Sequence, residues 1–167
     1  LVRMTGYAEL HCLSNFSFQR GASSAKELFE KASQLGYEAL SITDECSLAG
    51  IVRAWQASKT SNVRLITGAE VTLAEGIKLV LLAQNLVGYQ RICGLITTAR
   101  RRTTKGTYEL HQSDFGASNE GIFAIWIPDK RVSDEQGTWV SSTFPDRCWI
   151  GVELHHGPDD AQKLAIL

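Results

Sequence analysis

The most informative segment for the fold class is Leu79-Val80-Leu81-Leu82-Ala83. A continuous apolar run of this length is typical of a strand that is buried on both faces of a parallel sheet. On either side of it the chain alternates further short apolar runs with segments of helical periodicity, and about six strands can be counted in all. Repeated strand–helix units predict a parallel sheet covered by helices, and hence an α/β fold.

Two of the predicted helices have recognisable starts. The segment Ser24-Ala25-Lys26-Glu27 matches a capping box, which satisfies free amides at a helix start, and Gly36 supplies the expected stop. Ser47 is the expected cap of the next helix. Its apolar spacing predicts a buried stripe formed by Leu48, Ile51, Val52 and Trp55.

Composition excludes several classes of protein. The chain has 167 residues, 44% of them hydrophobic, which is enough apolar material for a packed core. Its 17 basic and 18 acidic residues give a net charge of −1, which argues against a generally basic nucleic-acid-binding protein. No apolar run reaches the roughly 20 residues of a membrane span, and no secretory signal opens the chain. Its four cysteines lack a C-x-x-C pair, so we expect a soluble, cytoplasmic protein with reduced thiols and no membrane partner.

The length predicts a single domain over residues 1–167, with the polar stretch 103–121 as a loop excursion. A closed α/β barrel usually needs about seven or eight strands, more than the pattern supplies. The last segment starts like a helix at Pro158 and stops at Leu167 without terminal punctuation. We therefore expect a partial barrel from a truncated chain.

Polar side chains collect where the predicted strands end. His11 ends the first strand, Asp44-Glu45 follows the second, Glu70 lies late in the third, and Glu153 with His155 and His156 closes the sixth. In parallel α/β folds the functional groups lie at these carboxyl ends. A histidine among several carboxylates is typical of a divalent-metal hydrolase. Solvated loop charges with one capping aspartate are the alternative, and the spacing alone leaves both open.

Four segments, in order, resemble the polymerase-and-histidinol-phosphatase (PHP) domain. They are residues 7–17, 40–50, 67–70 and 81–89. The resemblance is strongest to the PHP domain that opens the bacterial C-family DNA polymerases, in particular the error-prone members. It implies a distorted (β/α)7 barrel, incomplete in this chain. Active PHP domains hold three zinc or manganese ions and cleave phosphoester bonds, and their motifs are His-x-His, Thr-Asp-His, a Glu and a later His.

This sequence departs from those motifs at several ligand positions. Leu13 stands where the second histidine is expected, and Arg20 occupies roughly the place of the next acidic ligand. Glu45 replaces the histidine of Thr-Asp-His, and Lys78 replaces the later one. Leucine has no donor atom, and arginine stays protonated in proteins. The degenerate metal-site positions are therefore His11, Leu13, Arg20, Asp44, Glu45, Glu70 and Lys78.

The surviving donors could hold at most one weakly bound metal, through His11, Glu45 and Glu70. We expect instead that two fixed cations, Arg20 and Lys78, have replaced the metal ions. The carboxylates that they would neutralise are Asp44, Glu45 and Glu70. On this hypothesis the domain is structural, and it has no catalytic residue and no cofactor of its own.

The resemblance also implies partners and alternatives. The parent polymerase would copy damaged DNA with magnesium. The domain would pack against the remaining polymerase domains and dock replication or mutagenesis accessory proteins. An active zinc- or manganese-dependent phosphoesterase or 3′–5′ proofreading nuclease is the alternative, and a free-standing nucleic-acid-binding module is the third. The cation run Arg100-Arg101-Arg102 with Lys105 has two interpretations. It either contacts phosphates, or it ends a helix, where cations interact favourably with the negative end of the helix dipole.

Overall fold

The computed structural model describes residues 6–116, 118–129, 133–154, 157–158 and 160–166. The chain divides into two compact units, Leu1–Glu70 and Val71–Leu167. The strands are β1 (Ala8–Glu9), β2 (Ala39–Ile42), β3 (Arg64–Thr72), β4 (Lys78–Ala83), β5 (Ile122–Ile127) and β6 (Cys148–Ile150). The helices are α1 (Ala25–Gln34), α2 (Ile51–Ser61), α3 (Leu86–Arg101), α4 (Asp134–Thr143) and α5 (Asp160–Ile166). The α/β class is confirmed. His155 and His156 lie outside the described residues.

The first unit is built as the sequence predicts. β1 pairs with β2 and β2 pairs with β3, both in parallel, with helices as the connections. The capping box of α1 is confirmed, because the Ser24 hydroxyl accepts from the Glu27 amide and the Glu27 carboxylate accepts from the Ser24 amide. Phe29 of α1 and Ile42 of β2 are fully buried in the core of this unit.

Helix α2 corrects the prediction of its start and of its buried face. It begins at Ile51 behind Gly50, and no side chain caps it, so the predicted Ser47 cap is wrong. Its buried residues are Ala54, Ala57 and Ser61. Small side chains suit this face because α2 packs against α1 along it. The larger Val52 and Trp55, predicted to be buried, are 66% and 52% exposed.

The second unit corrects the predicted strand direction. The run Leu79–Leu82 is buried as expected, but β4 pairs with β5 in an antiparallel arrangement, while β5 and β6 are parallel. After α3 the long loop returns the chain to the end of β4, where the Gln84 amide donates to the Gly121 carbonyl at 2.8 Å. A strand buried on both faces can pair with a parallel or an antiparallel neighbour. The apolar run therefore does not indicate the direction of the neighbouring strand. Among the described residues, no helix combines the length and hydropathy needed to cross a membrane.

Candidate functional site

The candidate site lies where β1, β2 and β3 of the first unit place polar side chains. His11 follows β1, Glu45 follows β2, and Glu70 lies near the end of β3. The Cys46 amide donates to the Glu70 carbonyl at 2.7 Å, and Glu45 and Glu70 form a parallel bridge. This pairing continues beyond the end of β2 and sets the two glutamates side by side.

Arg20 binds both glutamates. Its Nη1 donates to Glu45 Oε2 at 2.8 Å and to Glu70 Oε1, and its Nη2 donates to Glu70 Oε2 at 3.2 Å. On the other side of Glu70, His11 Nε2 lies 2.8 Å from Oε2. The Glu70 side chain is only 1% exposed, whereas that of Arg20 is 38% exposed. Hydrogen bonding to Glu70 is the main reason that the pKa of Arg20 is raised, so the guanidinium stays charged.

Asp44 is held by neutral donors and not by a cation, which differs from the prediction. Its carboxylate accepts from the Ser14 amide at 2.8 Å, from the Ser14 hydroxyl at 2.7 Å and from the Ser17 hydroxyl at 2.7 Å. The Ser17 oxygen in turn accepts from the Glu45 amide at 3.0 Å. All three side chains are buried, so this network fixes the loop between β1 and α1. Sequence reasoning missed Ser14 and Ser17, whose only signal was their place in the loop leading to Arg20.

The remaining predicted positions lie elsewhere or contribute no donor. Lys78 opens β4 in the second unit, where its Nζ lies 3.7 Å from Glu153 Oε2. Its predicted neutralising role toward Glu45 and Glu70 stays a prediction. Leu13 is half-buried and offers no donor atom.

Two members of the cation run hold the loop that follows α3. Arg102 binds Asp114 through two hydrogen bonds of 2.7 and 2.8 Å, and this lowers the pKa of Asp114 to about 2. Arg100 donates to the Thr107 carbonyl at 3.2 Å. Arg101 and Lys105 are exposed. Phosphate contact by this run therefore stays a prediction, and the helix-end interpretation has structural support for Arg100 and Arg102.

The sequence matches the PHP domain family over residues 9–131, a range that includes all of the cluster around Arg20. The chain belongs to the PHP domain family. The match continues across the boundary between the two units at Glu70.

Proteins named error-prone DNA polymerase are close relatives of this PHP domain. The relative from Pseudomonas aeruginosa is 60% identical over 164 residues, which is 98% of this chain and 16% of that protein. Relatives from Pseudomonas fluorescens (strain Pf0-1) and Xanthomonas axonopodis pv. citri are 57% and 52% identical over 97% and 98% of this chain. Each is also covered over 16% of its length, so the chain spans about a sixth of these relatives.

Two solved structures share the fold. A protein from Bifidobacterium adolescentis, provisionally assigned as a metal-dependent phosphoesterase, aligns with a TM-score of 0.70 at 15% identity. That alignment covers 98% of this chain and 83% of the other. An amidohydrolase from Chromobacterium violaceum, solved with sulfate and without metal, gives 0.62 at 16% identity, covering 95% of this chain and 81% of the other. The likeness confirms the PHP-type α/β fold.

The residues of this site do not fit the three-metal cluster that active PHP domains imply. The Arg20 guanidinium lies between Glu45 and Glu70, and Leu13 offers no donor atom. Within the described part of the chain, no group of three or more His, Cys, Asp or Glu residues is arranged to hold a metal ion. His11, Asp44, Glu45 and Glu70 all carry groups of the kind that bind metals. Arg20 holds both glutamates, and Ser14 and Ser17 hold Asp44.

Proposed function

We propose that this chain is the PHP domain at the start of an error-prone DNA polymerase, and that it is a structural domain without catalytic activity of its own. The proposal is supported by relatives of that name at up to 60% identity over nearly the whole chain. The parent protein would extend primers on damaged DNA with magnesium, and the chemistry would be done by its other domains. This domain would pack against them in the cytoplasm.

The observation that carries the structural role is the guanidinium between Glu45 and Glu70. Two adjacent carboxylates repel each other unless a cation lies between them. Arg20 supplies that cation through charge-assisted hydrogen bonds, two of them to the buried Glu70. A guanidinium stabilises negative charge, but it cannot bind water as a Lewis acid or generate hydroxide, which is what a hydrolytic metal does. The site therefore holds a guanidinium between its two glutamates, and this cation supplies no Lewis acid for activating water.

The loop that carries Arg20 supports the same conclusion. Asp44, the aspartate of the Thr-Asp-His position, accepts three hydrogen bonds from Ser14 and Ser17. Its oxygens are therefore engaged within the protein, and the serines hold the loop that positions Arg20. The aspartate organises the loop and offers little capacity for a ligand.

Metal content and nuclease activity of the purified chain test this function. After expression and purification without chelators, elemental analysis should find zinc and manganese far below one per chain. A 5′-labelled primer incubated with manganese should stay intact, with an active PHP phosphoesterase as the positive control. Near-stoichiometric metal, or manganese-dependent release of nucleotides, would overturn the proposal in favour of an active phosphoesterase or 3′–5′ nuclease.

A further inference from the structure

We propose that His111 is a pH-sensitive latch within the second unit, tying the loop after α3 to the turn between β3 and β4. The latch is closed when the protonated imidazole binds Glu75 of the turn, and it opens when the ring loses a proton. Glu109, in the same loop as His111, binds the other side of the ring. The proposal does not depend on the proposed function.

Both ring nitrogens of His111 face carboxylate oxygens. Nε2 lies 2.7 Å from Glu109 Oε1, and Nδ1 lies 3.3 Å from Glu75 Oε1. An ionised carboxylate can only accept hydrogen bonds, and a neutral imidazole has a single N–H. Both contacts are therefore hydrogen bonds only when the ring is doubly protonated and carries a positive charge.

Backbone contacts join the same two segments on either side of the imidazole. The Ala74 amide donates to the Leu110 carbonyl at 2.8 Å, and the Gln112 amide lies 3.3 Å from both carboxylate oxygens of Glu75. Leu110 is fully buried, so the residue before His111 is anchored in the core. Holding the imidazole beside Glu75 therefore requires little further ordering of the backbone.

The charged groups around the ring favour its protonated form. Within the described part of the chain, Glu75 and Glu109 form no ion pair with a side chain other than His111. Asp114 accepts from the His111 amide at 2.8 Å, and Arg102 already forms an ion pair with its carboxylate. Helix α4 adds only an uncharged group at this point, the Gln136 amide, which donates to the Glu75 carbonyl at 3.3 Å.

Deprotonation should open the latch on the Glu75 side. Hydrogen bonds to Glu109 and, to a smaller extent, to Glu75 raise the pKa of His111 above its ordinary value of 6.5. The latch is therefore closed below about pH 6.5 and opens as the pH rises through the pKa of the folded protein. The neutral ring keeps its proton on Nε2, where the contact with Glu109 is shorter. Nδ1 then presents a lone pair to the Glu75 carboxylate, and the two acceptors repel each other.

The protonation of the ring can be followed by NMR. In a ¹⁵N-labelled chain, long-range ¹H–¹⁵N spectra from pH 5 to 9 report on the ring nitrogens, and His111→Gln identifies the signal among those of the four histidines. The titration midpoint should lie above 6.5, and the neutral form should be the Nε2–H tautomer. Glu109→Gln should shift the midpoint down toward 6.5. Glu120→Gln, which removes an exposed carboxylate from the same loop, should leave it unchanged.

Amide hydrogen exchange tests whether this proton controls the contact between the two segments. The protection factor of the Ala74 amide, which corrects for the intrinsic exchange rate at each pH, should fall about two- to threefold as His111 deprotonates. In Glu75→Gln the protection should not change across the His111 midpoint, because a glutamine side chain can accept from Nδ1–H or donate to the Nδ1 lone pair.

Each other outcome overturns the proposal. A midpoint at or below 6.5, a neutral ring protonated on Nδ1, or an equal shift in Glu120→Gln would show that the two glutamates do not hold the imidazolium. Constant protection of Ala74 while His111 titrates would show that the proton does not control the contact. If His111→Gln fails to fold, the lowered midpoint in Glu109→Gln identifies the signal instead, and the absence of any histidine signal with that shift would also refute the latch.

Discussion

Replacing Arg20 with alanine should destabilise the protein by about 3 kcal/mol. The contact with Glu45 joins side chains that are 38% and 33% exposed, so its loss costs only about 0.5 kcal/mol. The contact with Glu70 is different, because Glu70 is 1% exposed and would lose its bidentate partner. Leaving a buried charged group under-satisfied costs about 2–3 kcal/mol. For a chain of this size the sum corresponds to a fall in Tm of about 6–12 °C.

Urea unfolding and thermal denaturation measure this loss. Arg20→Lys keeps the charge but not the planar fork, so it should cost about half as much. Arg64→Ala is the matched control, because Arg64 lies 3.7 Å from Glu38 and both side chains are mostly exposed. Its effect should stay within about 0.5 kcal/mol. An Arg20→Ala variant as stable as the wild type in urea at neutral pH would show that the guanidinium does not stabilise the pair formed by Glu45 and Glu70.

Three further predictions concern other groups. Asp44→Asn should cost about 1.5–3 kcal/mol in urea unfolding, because an amide nitrogen cannot accept from the serine hydroxyls; a loss as small as that of Arg64→Ala would contradict the network. The pKa of Asp114 is lowered to about 2, so its carboxylate stabilises the fold above about pH 4. The difference in unfolding free energy between the wild type and Asp114→Asn should therefore close as the pH falls from about 4 toward 2. Burial raises the pKa of the Cys12 thiol to about 11. Iodoacetamide at pH 8 should therefore modify Cys12 about 100-fold more slowly in the folded chain than in the unfolded chain, as measured by mass spectrometry. Equal rates would refute this.

The fold could be predicted where local chemistry and burial agree. The capping box at Ser24 predicts α1 because both of its hydrogen bonds form between residues close in sequence. The apolar run of β4 predicts burial but not direction, since both faces are covered whichever way the next strand runs. The prediction for α2 was wrong at Val52 and Trp55 because these two side chains face outward, and alanines make the close contact with α1.

The site was partly predictable for a similar reason. Arg20 could be inferred because a cation at a position where the family motif has an acidic ligand can form ion pairs with Glu45 and Glu70. Ser14 and Ser17 could not, because loop serines are common and nothing in their spacing indicates a buried acceptor 27–30 residues later. Motif comparison finds the charges that replaced metal ligands, but it does not find the neutral donors that hold the loop.

Gly21 makes the position of the arginine depend on a residue with no side chain. The loop turns so tightly that a Cβ on Gly21 would lie 2.0 Å from the Ser14 carbonyl oxygen. Any larger residue would force the turn open and withdraw the neighbouring guanidinium from Glu70. In related sequences, an arginine aligned with position 20 is therefore evidence of an internal counter-ion only when a glycine follows it. A bulky residue there would indicate an arginine that points elsewhere and a carboxylate pair that needs another cation.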